Sequence, residues 1–336
     1  MTGNTKAEQL RAAIVGCGSI APMHSAALAQ SAHGRLVAVA DVEESRAMAF
    51  AAANECEYMV DYHDLLEDGN IDVIHVCTPH HLHVPIAKDA LTSGKHVLIE
   101  KPVALTMDDA RELQDLSQRV GKQVGVVYQN RYNESSVKMK EWAESGRYGR
   151  VLGMRAFVTW SRGADYYNSG AWRGKWATEG GGLLINQAIH TLDLLQWLGG
   201  DMASIKGQWA THVLQDVIEV EDTAHAIIDF NSGARAVFFG TNAYVANSPI
   251  DIEVICEHAT FTQRNEALYL VKDGAETIEC EPPVHQNFGK SYWGVGHERL
   301  IADFYQHLID NRPFPIDALE ASKSLRIVRS IHGRDV

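Results

Sequence analysis

The feature that most constrains this chain is a glycine turn that directly follows an apolar run near its start. The run Ala12–Val15 is followed by the pattern G-x-G-x-x-A, which places Gly16, Gly18 and Ala21 in the turn and the residues after it. In a strand–turn–helix unit that binds a dinucleotide, the first glycine allows the sharp turn, the second leaves room for a pyrophosphate, and the small residue lets the helix pack on the strand. Free N–H groups at the helix start would face the phosphates. We therefore predict a dinucleotide-binding unit here.

A second apolar strand supports this prediction because it ends in an acid. Arg35–Ala40 is predicted to be a strand, and Asp41 follows it, twenty residues after Ala21. A carboxylate at this point accepts hydrogen bonds from ribose hydroxyls and would repel the 2′-phosphate of NADP. Arg46, one helical turn further on, would soften that preference. The sequence therefore predicts NAD as the cofactor.

Strands and helices alternate through the first third of the chain. Continuous apolar runs such as Val73–Cys77 and Val97–Ile99 are typical of parallel strands that are covered on both faces. After Tyr128 the pattern changes to strand-like runs joined by short turns, which predicts a mostly antiparallel sheet. We predict an α/β Rossmann domain with a doubly wound parallel sheet over residues 1–128. An α+β second domain with a large, open, mostly antiparallel sheet would follow over residues 129–336, with the site in the cleft between them.

Composition and charge exclude several classes of function. The chain has 336 residues, with 30 Lys and Arg against 43 Asp and Glu, and its net charge of −13 argues against a nucleic-acid or anionic-membrane surface. Its first residues are polar, and no apolar run approaches the length of a membrane span. Five cysteines without a C-x-x-C pair indicate reduced thiols. We expect a cytoplasmic protein whose partner is a small molecule.

Polar residues follow two strands of the first domain at the edge where parallel sheets bind ligands. Thr78 and Pro79 end one strand, and the run Glu100–Pro102 ends the next. Within that run, Lys101 suits a dehydrogenase because its three N–H donors can hold an alcohol or polarise a carbonyl. A solvated lysine at a strand end is the alternative interpretation.

Three histidines, His80, His81 and His83, follow the first of these strand ends. They lack a carboxylate or cysteine at metal-ligand spacing, so a metal site is the weaker interpretation. A helix start at which His83 contacts the cofactor is the stronger one, and ordinary surface histidines stay an alternative.

A predicted helix over Leu183–Trp197 carries the second group of candidates. Asn186, His190 and Asp193 fall at i, i+4 and i+7, which places them on one face of an otherwise apolar helix. Polar groups on a buried helix need partners, and a substrate is one such partner. A hydrogen-bonded structural histidine is the alternative. The glycines 180–182 at the helix start favour the ligand, because they remove bulk where it would approach.

Together these motifs resemble the glucose–fructose oxidoreductase / inositol dehydrogenase (Gfo/Idh/MocA) family of NAD(P)-dependent sugar and cyclitol dehydrogenases. The resemblance covers nearly the whole chain and rests on Gly16–Ala21, Thr78-Pro79, Glu100-Lys101-Pro102, Gly180–Gly182, His190, Trp293-Gly294 and His297. It implies a Rossmann domain and a second domain whose open sheet commonly mediates oligomerisation. It also implies that Lys101 lies beside the nicotinamide and the reacting hydroxyl. The D-x-x-x-H pair of the family corresponds to Asn186 and His190.

One position departs from the family pattern. Asn186 stands where the family has aspartate, and an amide hydrogen-bonds a sugar hydroxyl but holds no negative charge beside His190. This departure puts a carboxylate-assisted relay in doubt and leaves His190 the better acid/base candidate. Two further segments, Gln129–Tyr132 and Ala171–Trp176, resemble family members that act on glycosides and nucleotide sugars.

The candidate site residues fall into three groups by expected role. The catalytic candidates are Lys101, which would polarise the reacting oxygen, and His190, which would take the hydroxyl proton. The substrate-binding candidates are Asn186, Trp172 as a stacking ring, Arg173 as a ligand for a carboxylate or phosphate, and Arg131. The cofactor-binding candidates are Gly16, Gly18, Ser19, Ile20, Asp41, Thr78, Pro79, His83, Glu100, Lys101 and Gln129. We expect no metal.

The sequence thus predicts an oxidoreductase that transfers hydride between NAD and a ring-carbon alcohol of a sugar, sugar derivative or cyclitol. Two alternatives stay open: an NAD-dependent glycosidase, in which transient oxidation lets the glycosidic bond eliminate, and a sensor that binds NAD without turnover. The run Ala234–Gly240 and its neighbours hold more apolar residues than one covered sheet face needs. We therefore expect a homodimer or homotetramer joined through the second sheet.

Overall fold

Six parallel strands form the first sheet of this computed structural model, which describes residues 9–282 and 296–334. The strands are β1 (Leu10–Val15), β2 (Gly34–Ala40), β3 (Glu57–Met59), β4 (Val73–Val76), β5 (His96–Glu100) and β6 (Val124–Val127). Their order across the sheet is β3-β2-β1-β4-β5-β6, so the strand order reverses between β1 and β4. Doubly wound sheets bind ligands at this kind of switch point. The predicted doubly wound parallel sheet is confirmed, and β4 and β6 are buried throughout.

Five helices accompany these strands. They are α1 (Ala21–Gln30), α2 (Glu44–Asn54), α3 (His63–Glu67), α4 (His83–Thr92) and α5 (Met107–Val120). The two ends of α5 are set by the residues next to them in the sequence. The N–H of Asp109 donates to the side chain of Thr106 at the start of α5, and Gly121 ends that helix in the left-handed region with φ +66°.

Eight strands form the second sheet. They are β7 (Val151–Thr159), β8 (Met202–Ala210), β9 (Thr223–Phe230), β10 (Arg235–Thr241), β11 (Asp251–Cys256), β12 (Thr260–Arg264), β13 (Ala267–Lys272) and β14 (Ala275–Cys280). Their order is β14-β13-β12-β11-β7-β10-β9-β8, and only the pairing of β7 with β10 is parallel among these strands. Buried and more exposed side chains alternate along β7 and β9, as expected for a sheet covered on one face. The mostly antiparallel open sheet is confirmed.

The remaining described helices connect the two sheets. They are α6 (Glu134–Ser145), α7 (Ala164–Asn168), α8 (Leu183–Asn186), α9 (Ile189–Gly199), α10 (Gly296–Ile309) and α11 (Ala318–His332). α10 packs against α1, and α11 packs against both α5 and β8. The last part of the chain therefore returns to the first sheet, and the domain boundary at residue 128 stays a prediction. Trp293 and Gly294 lie outside the described residues. No helix in the described ranges is long and apolar enough to cross a membrane.

The single helix predicted over Leu183–Trp197 is wrong, because two helices occupy this segment. The N–H of Ala188 bonds to the carbonyl of Leu183, five residues back, so the helix widens by one residue there. The widening lets Gln187 reach Asn242, whose Nδ2 donates to Gln187 Oε1 at 2.9 Å.

Candidate active site

A cleft of about 610 Å³ lies at the carboxyl ends of the parallel strands, and a loop and two helices of the second domain form its other side. This volume is typical of small-molecule sites. The predicted residues that line it are Gly16, Gly18, Ser19, Ile20, Asp41, Thr78, Pro79, His83, Glu100, Lys101, Gln129, Trp172, Arg173, Asn186 and His190. The structure thus brings together every candidate except Arg131.

The turn after β1 has the shape that a dinucleotide needs, and unpaired polar atoms lie at the ends of two other strands. Gly16 has φ +94°, and a Cβ there would lie 2.7 Å from the carbonyl oxygen of Cys77, so only glycine fits. Around Gly18 no atom lies within 4 Å of the position that a Cβ would take. Thr78 Oγ1 and Gln129 Oε1 are buried and have no hydrogen-bond partner among the described residues. These groups fit a ligand with phosphates and hydroxyls.

Asp41 follows β2, and donors hold its carboxylate in place. Oδ2 accepts from the N–H of Cys17 and Oδ1 from the N–H of Glu43, each at 2.9 Å. Arg46 Nη1 lies 3.2 Å from both oxygens. The carboxylate therefore has a fixed orientation, with one cationic partner beside it.

Histidine rings hold the turn after β4. Both ring nitrogens of His83 face main-chain carbonyls, Pro102 at 2.7 Å and Thr78 at 2.9 Å. His80 donates from Nδ1 to the carbonyl of Glu179 at 2.8 Å. Burial lowers the pKa of both rings, and at His83 the two carbonyl oxygens oppose that shift. The contribution of these rings is to fix the shape of the cleft wall.

Lys101 enters the middle of the cleft from the end of β5. Its Nζ donates to the main-chain oxygen of Asn186 at 2.9 Å and to the side-chain Oδ1 at 3.2 Å. An ammonium has three N–H donors, so one stays available for a substrate oxygen. Burial lowers the pKa of Lys101 to about 8, and the negative charge of Glu100 opposes that shift. The ammonium form still predominates at pH 7.

A buried hydrogen-bonded chain starts at Glu100, next to that lysine. His24 Nε2 lies 3.1 Å from Glu100 Oε1, and His24 Nδ1 lies 2.8 Å from His75 Nδ1. His75 Nε2 lies 2.9 Å from the Tyr305 hydroxyl. Burial favours a raised pKa for Glu100, but hydrogen bonds from His24 and His297 outweigh it and hold the pKa well below its usual range. Because Glu100 is a carboxylate, it must accept from His24. The Tyr305 hydroxyl therefore donates to His75, His75 donates to His24, and His24 donates to Glu100.

His190 lies on α9 at the cleft wall. Its Nδ1 is buried and has no hydrogen-bond partner among the described residues, and the ring makes an edge contact with Tyr128 at 5.9 Å between centres. Burial and the nearby Lys101 hold the pKa of His190 well below its usual range. The imidazole is therefore neutral at pH 7 and has one unprotonated nitrogen.

Aromatic rings and arginines line the other end of the cleft. The guanidinium of Arg173 lies 4.4 Å from the ring centre of Tyr166 and 4.5 Å from that of Trp172. It donates to the Tyr166 hydroxyl at 2.6 Å, and no carboxylate in the described ranges forms an ion pair with it. Arg162 packs over Trp160 and Tyr166 at 4.9 and 5.4 Å. This end of the cleft suits a ring that carries an anionic group.

Arg131, predicted to bind substrate, does not line the cleft, because its side chain belongs to a buried cluster. Its Nε and Nη2 donate to the two carboxylate oxygens of Asp193 at 2.7 Å each, and its Nη1 donates to Glu320 at 2.9 Å. This buried cluster joins the short 3-10 helix at Gln129–Tyr132 to α9 and α11. Both carboxylate oxygens of Asp193 are therefore bound to Arg131 within the protein. Asn186 and His190 both line the cleft, but Asp193 does not, so the predicted common face of the three residues is wrong at Asp193.

The glycines 180–182 make room for protein atoms. A Cβ at Gly182 would collide with the main-chain oxygen of Glu221, and one at Gly180 would lie 2.6 Å from Leu105. The carboxylate of Glu221 accepts from the N–H groups of Gly182 and Leu184 at 3.0 and 2.8 Å. A protein carboxylate therefore occupies the start of α8. The expectation that a ligand approaches there is wrong.

Sequence reasoning missed several residues of the site. Glu179 is fully buried behind the cleft wall, and Asn186 Nδ2 donates to its Oε1 at 2.5 Å. Tyr166, Trp160 and Arg162 line the substrate end. An acid directly before a glycine run is a visible signal, but the sequence does not show which side chain it faces.

The fold and the cleft together define an NAD-binding oxidoreductase of the Rossmann type. Residues 10–128 match the model of the GFO_IDH_MocA oxidoreductase family, described as an NAD-binding Rossmann fold, and residues 136–262 match the GFO/IDH/MocA C-terminal domain. The chain belongs to the Gfo/Idh/MocA oxidoreductase family, and its cofactor is NAD.

Several relatives are sugar or cyclitol dehydrogenases. Inositol 2-dehydrogenase of Rubrobacter xylanophilus is 31% identical over 56% of this chain and 52% of that protein. The NAD(+)-dependent scyllo-inositol 2-dehydrogenase of Bacillus subtilis is 24% identical over 84% of this chain and 83% of that protein. The crystal structure of the WlbA dehydrogenase from Bordetella pertussis in complex with NADH and UDP-GlcNAcA has a TM-score of 0.84 and 29% identity, covering 97% of this chain and 96% of that chain.

Proposed function

We propose that this chain is an NAD-dependent dehydrogenase that oxidises a ring-carbon alcohol of a sugar derivative carrying an acidic group. The observation that carries the proposal is that Lys101 and His190 line the same cleft as the glycine turn of the Rossmann domain. An ammonium donor and a neutral imidazole are the pair that oxidation of an alcohol needs. The inositol dehydrogenases among the relatives support a cyclic polyol as substrate.

In this proposal the protein groups divide the work between binding and proton transfer. NAD, when bound, supplies the hydride acceptor. Gly18 and the start of α1 would hold its pyrophosphate, and Asp41 its adenosine ribose. The remaining N–H of Lys101 donates to the reacting oxygen and stabilises its developing charge, while the unprotonated nitrogen of His190 accepts the hydroxyl proton. Reduction of the ketone uses the same two groups in opposite roles.

Arg173 supports an acidic substrate. Glu179 acts electrostatically on the Arg173 guanidinium, but no described carboxylate forms an ion pair with it. A carboxylate or phosphate of the substrate would form that direct ion pair. Arg162 and Lys101 add positive charge to the same cleft in a chain whose net charge is −13. The WlbA structure with UDP-GlcNAcA supports the same substrate class.

A panel of polyols, aldoses, glycosides and uronic acids, free and nucleotide-linked, tests the proposal by NADH absorbance. A uronic acid should exceed its parent aldose in kcat/KM by roughly 10- to 100-fold, the value of one charge-assisted hydrogen bond. Arg173→Met should remove that advantage. The control is Arg150→Met, which removes only a surface ion pair with Glu257 and should leave the advantage intact. A preference for the neutral sugar would contradict the acidic substrate.

The same assay separates the two alternatives. A glycosidase would release the aglycone from a glycoside without net NADH formation. A sensor would bind NAD, by calorimetry, and turn over none of the panel. Either result would contradict the proposal that this chain is a dehydrogenase.

A further inference from the structure

Glu179 lies directly behind the wall of the cleft, and the reaction as proposed gives it no part. It follows the loop that carries Arg173 and is fully buried. The N–H of Gly174 donates to its Oε2, and Nδ2 of Asn186 donates to its Oε1, both at 2.5 Å. Burying an acid is costly unless its charge is compensated by hydrogen bonds or ion pairs. Each oxygen of Glu179 accepts one of these hydrogen bonds, so the cost of burying the acid is reduced.

The contacts of Asn186 allow only one orientation of its amide. Lys101 Nζ is a donor only, so the amide oxygen faces it, 3.2 Å away. The amide nitrogen then faces Glu179, whose oxygen must accept. Both oxygens of Glu179 thus receive hydrogens from their neighbours, which suits a carboxylate and does not suit a carboxamide with its single oxygen. Asn186 carries no negative charge, but Glu179 does, and it is linked to Lys101 through the Asn186 amide.

Titratable and charged groups face Glu179 from each neighbouring element. They are Arg173 on its own loop, Lys101 after β5, His80 after β4, Tyr167 on α7 and Glu221 before β9. Burial raises the pKa of Glu179 to about 7, and the hydrogen bonds from Gly174 and Asn186 oppose the shift. The carboxylate charge is therefore present above about pH 7 and is lost as the pH falls below that value.

We propose that Glu179 is a positioning residue of this dehydrogenase, whose carboxylate fixes the Asn186 amide so that the amide oxygen holds the Lys101 ammonium towards the substrate. The inference rests on the proposed function and adds to it a group outside the cleft. It also explains how a site with asparagine at position 186 keeps a negative charge near the lysine.

The test exchanges the amide and the carboxylate between the two positions. In Glu179→Gln, the new NH₂ group faces either the N–H of Gly174 or the amide of Asn186. In the second case the Asn186 amide turns over, so that its nitrogen faces Lys101. We expect kcat to fall roughly 10- to 100-fold, as for one lost charge-assisted hydrogen bond, with the KM for NAD and the unfolding midpoint retained.

Asn186→Asp alone places two carboxylates in the 2.5 Å contact, so one of them must hold a proton. We expect its kcat to fall as the pH rises and that proton is lost, because the protonated acid alone can donate to its neighbour. The double variant, Glu179→Gln with Asn186→Asp, should recover most of the lost kcat. The carboxamide now at position 179 donates to the carboxylate now at position 186, and that carboxylate accepts from Lys101. A surface control, Glu257→Gln, should behave like the parent.

Two pH measurements distinguish this role from a purely structural one. The kcat of the parent should fall below about pH 7, and Glu179→Gln should lack that acidic limb. NMR titration of the lysine side chains should show a lowered pKa for Lys101 in Glu179→Gln, because a nearby negative charge is gone. A Glu179→Gln variant with the kcat and pH profile of the parent would overturn the proposal, as would a double variant no better than the weaker single one. If the parent oxidises nothing in the panel, the proposed function fails, and the Lys101 titration still decides the role of Glu179.

Discussion

At the scale of single residues, we propose that Asp41 determines the preference for NAD over NADP. Its carboxylate is fixed by two main-chain N–H groups and by Arg46. We predict a higher kcat/KM with NAD than with NADP, because a 2′-phosphate would meet this carboxylate. Asp41→Ala should raise the relative use of NADP, since it releases Arg46 for the phosphate. Equal or better use of NADP by the unchanged protein would show the prediction to be wrong.

In the proposed reaction, His190 accepts the proton of the hydroxyl group. Because its imidazole is neutral at pH 7, His190→Ala should lower kcat by ~10²–10⁴, as for a lost general base, and part of the loss should return at high pH, where hydroxide replaces the base. The exposed His258 offers a control in His258→Ala. A near-normal kcat in His190→Ala, beside a Lys101→Met variant without turnover, would mean that Lys101 itself accepts the proton.

Residues that act through local backbone geometry could be predicted from the sequence, whereas those fixed by distant partners could not. Gly16 needs its turn whatever the rest of the chain does, and φ +94° confirms it. Arg131 was predicted to bind substrate because its segment, Gln129–Tyr132, resembles that of family members acting on glycosides and nucleotide sugars. Its partners Asp193 and Glu320 lie 62 and 189 residues away, so the sequence did not reveal them. Glu179 was missed for the same reason, since the sequence does not show that its carboxylate meets Asn186.

At the scale of elements, some helix ends depend on residues close by in the sequence. α11 begins at Ala318, where the side chain of Asp317 accepts from the N–H of Glu320, and it ends at His332, before Gly333. The widening between α8 and α9 was not predictable, because Gln187 pairs with Asn242, 55 residues away. That widening sets the relative placement of Asn186 and His190.

The cluster that joins α9 and α11 gives a stability prediction. Arg131→Met leaves Asp193 buried without its cation, so we expect the free energy of unfolding to fall by about 3–5 kcal/mol. The control is Arg111→Met, which removes an exposed ion pair with Asp108 and should cost about 0–1 kcal/mol. Urea unfolding measures both. An Arg131→Met variant as stable as this control would contradict the structural role of the cluster.

At the scale of the whole molecule, the described residues leave one face of the second sheet exposed. α9 packs on one face, while Phe157, Ile227, Val237 and Ile255 point away from it and are 37%, 44%, 47% and 38% exposed. Two ion pairs, Arg155 with Glu253 and Arg235 with Asp229, lie on the same strands. An apolar face of this kind is typical of an interface between subunits.

We therefore predict a homodimer or homotetramer joined through this face. Val237→Glu should shift the protein towards monomer, because a twofold or closed interface brings copies of the same surface together and desolvates the new charge. Light scattering at micromolar concentration measures the effect. A 37.1 kDa particle for the unchanged protein would refute the prediction.

The kcat of Lys101→Met on the substrate found by the panel tests the central claim most directly. The variant removes the ammonium but keeps much of the length of the side chain, and Lys88→Met, which removes only a surface ion pair with Glu112, is the matched control. We expect kcat to fall by ~10²–10³, as for a lost donor to the developing oxyanion, with the Kd for NAD unchanged. A Lys101→Met variant that turns over as fast as the parent would contradict the account of this cleft as a dehydrogenase site.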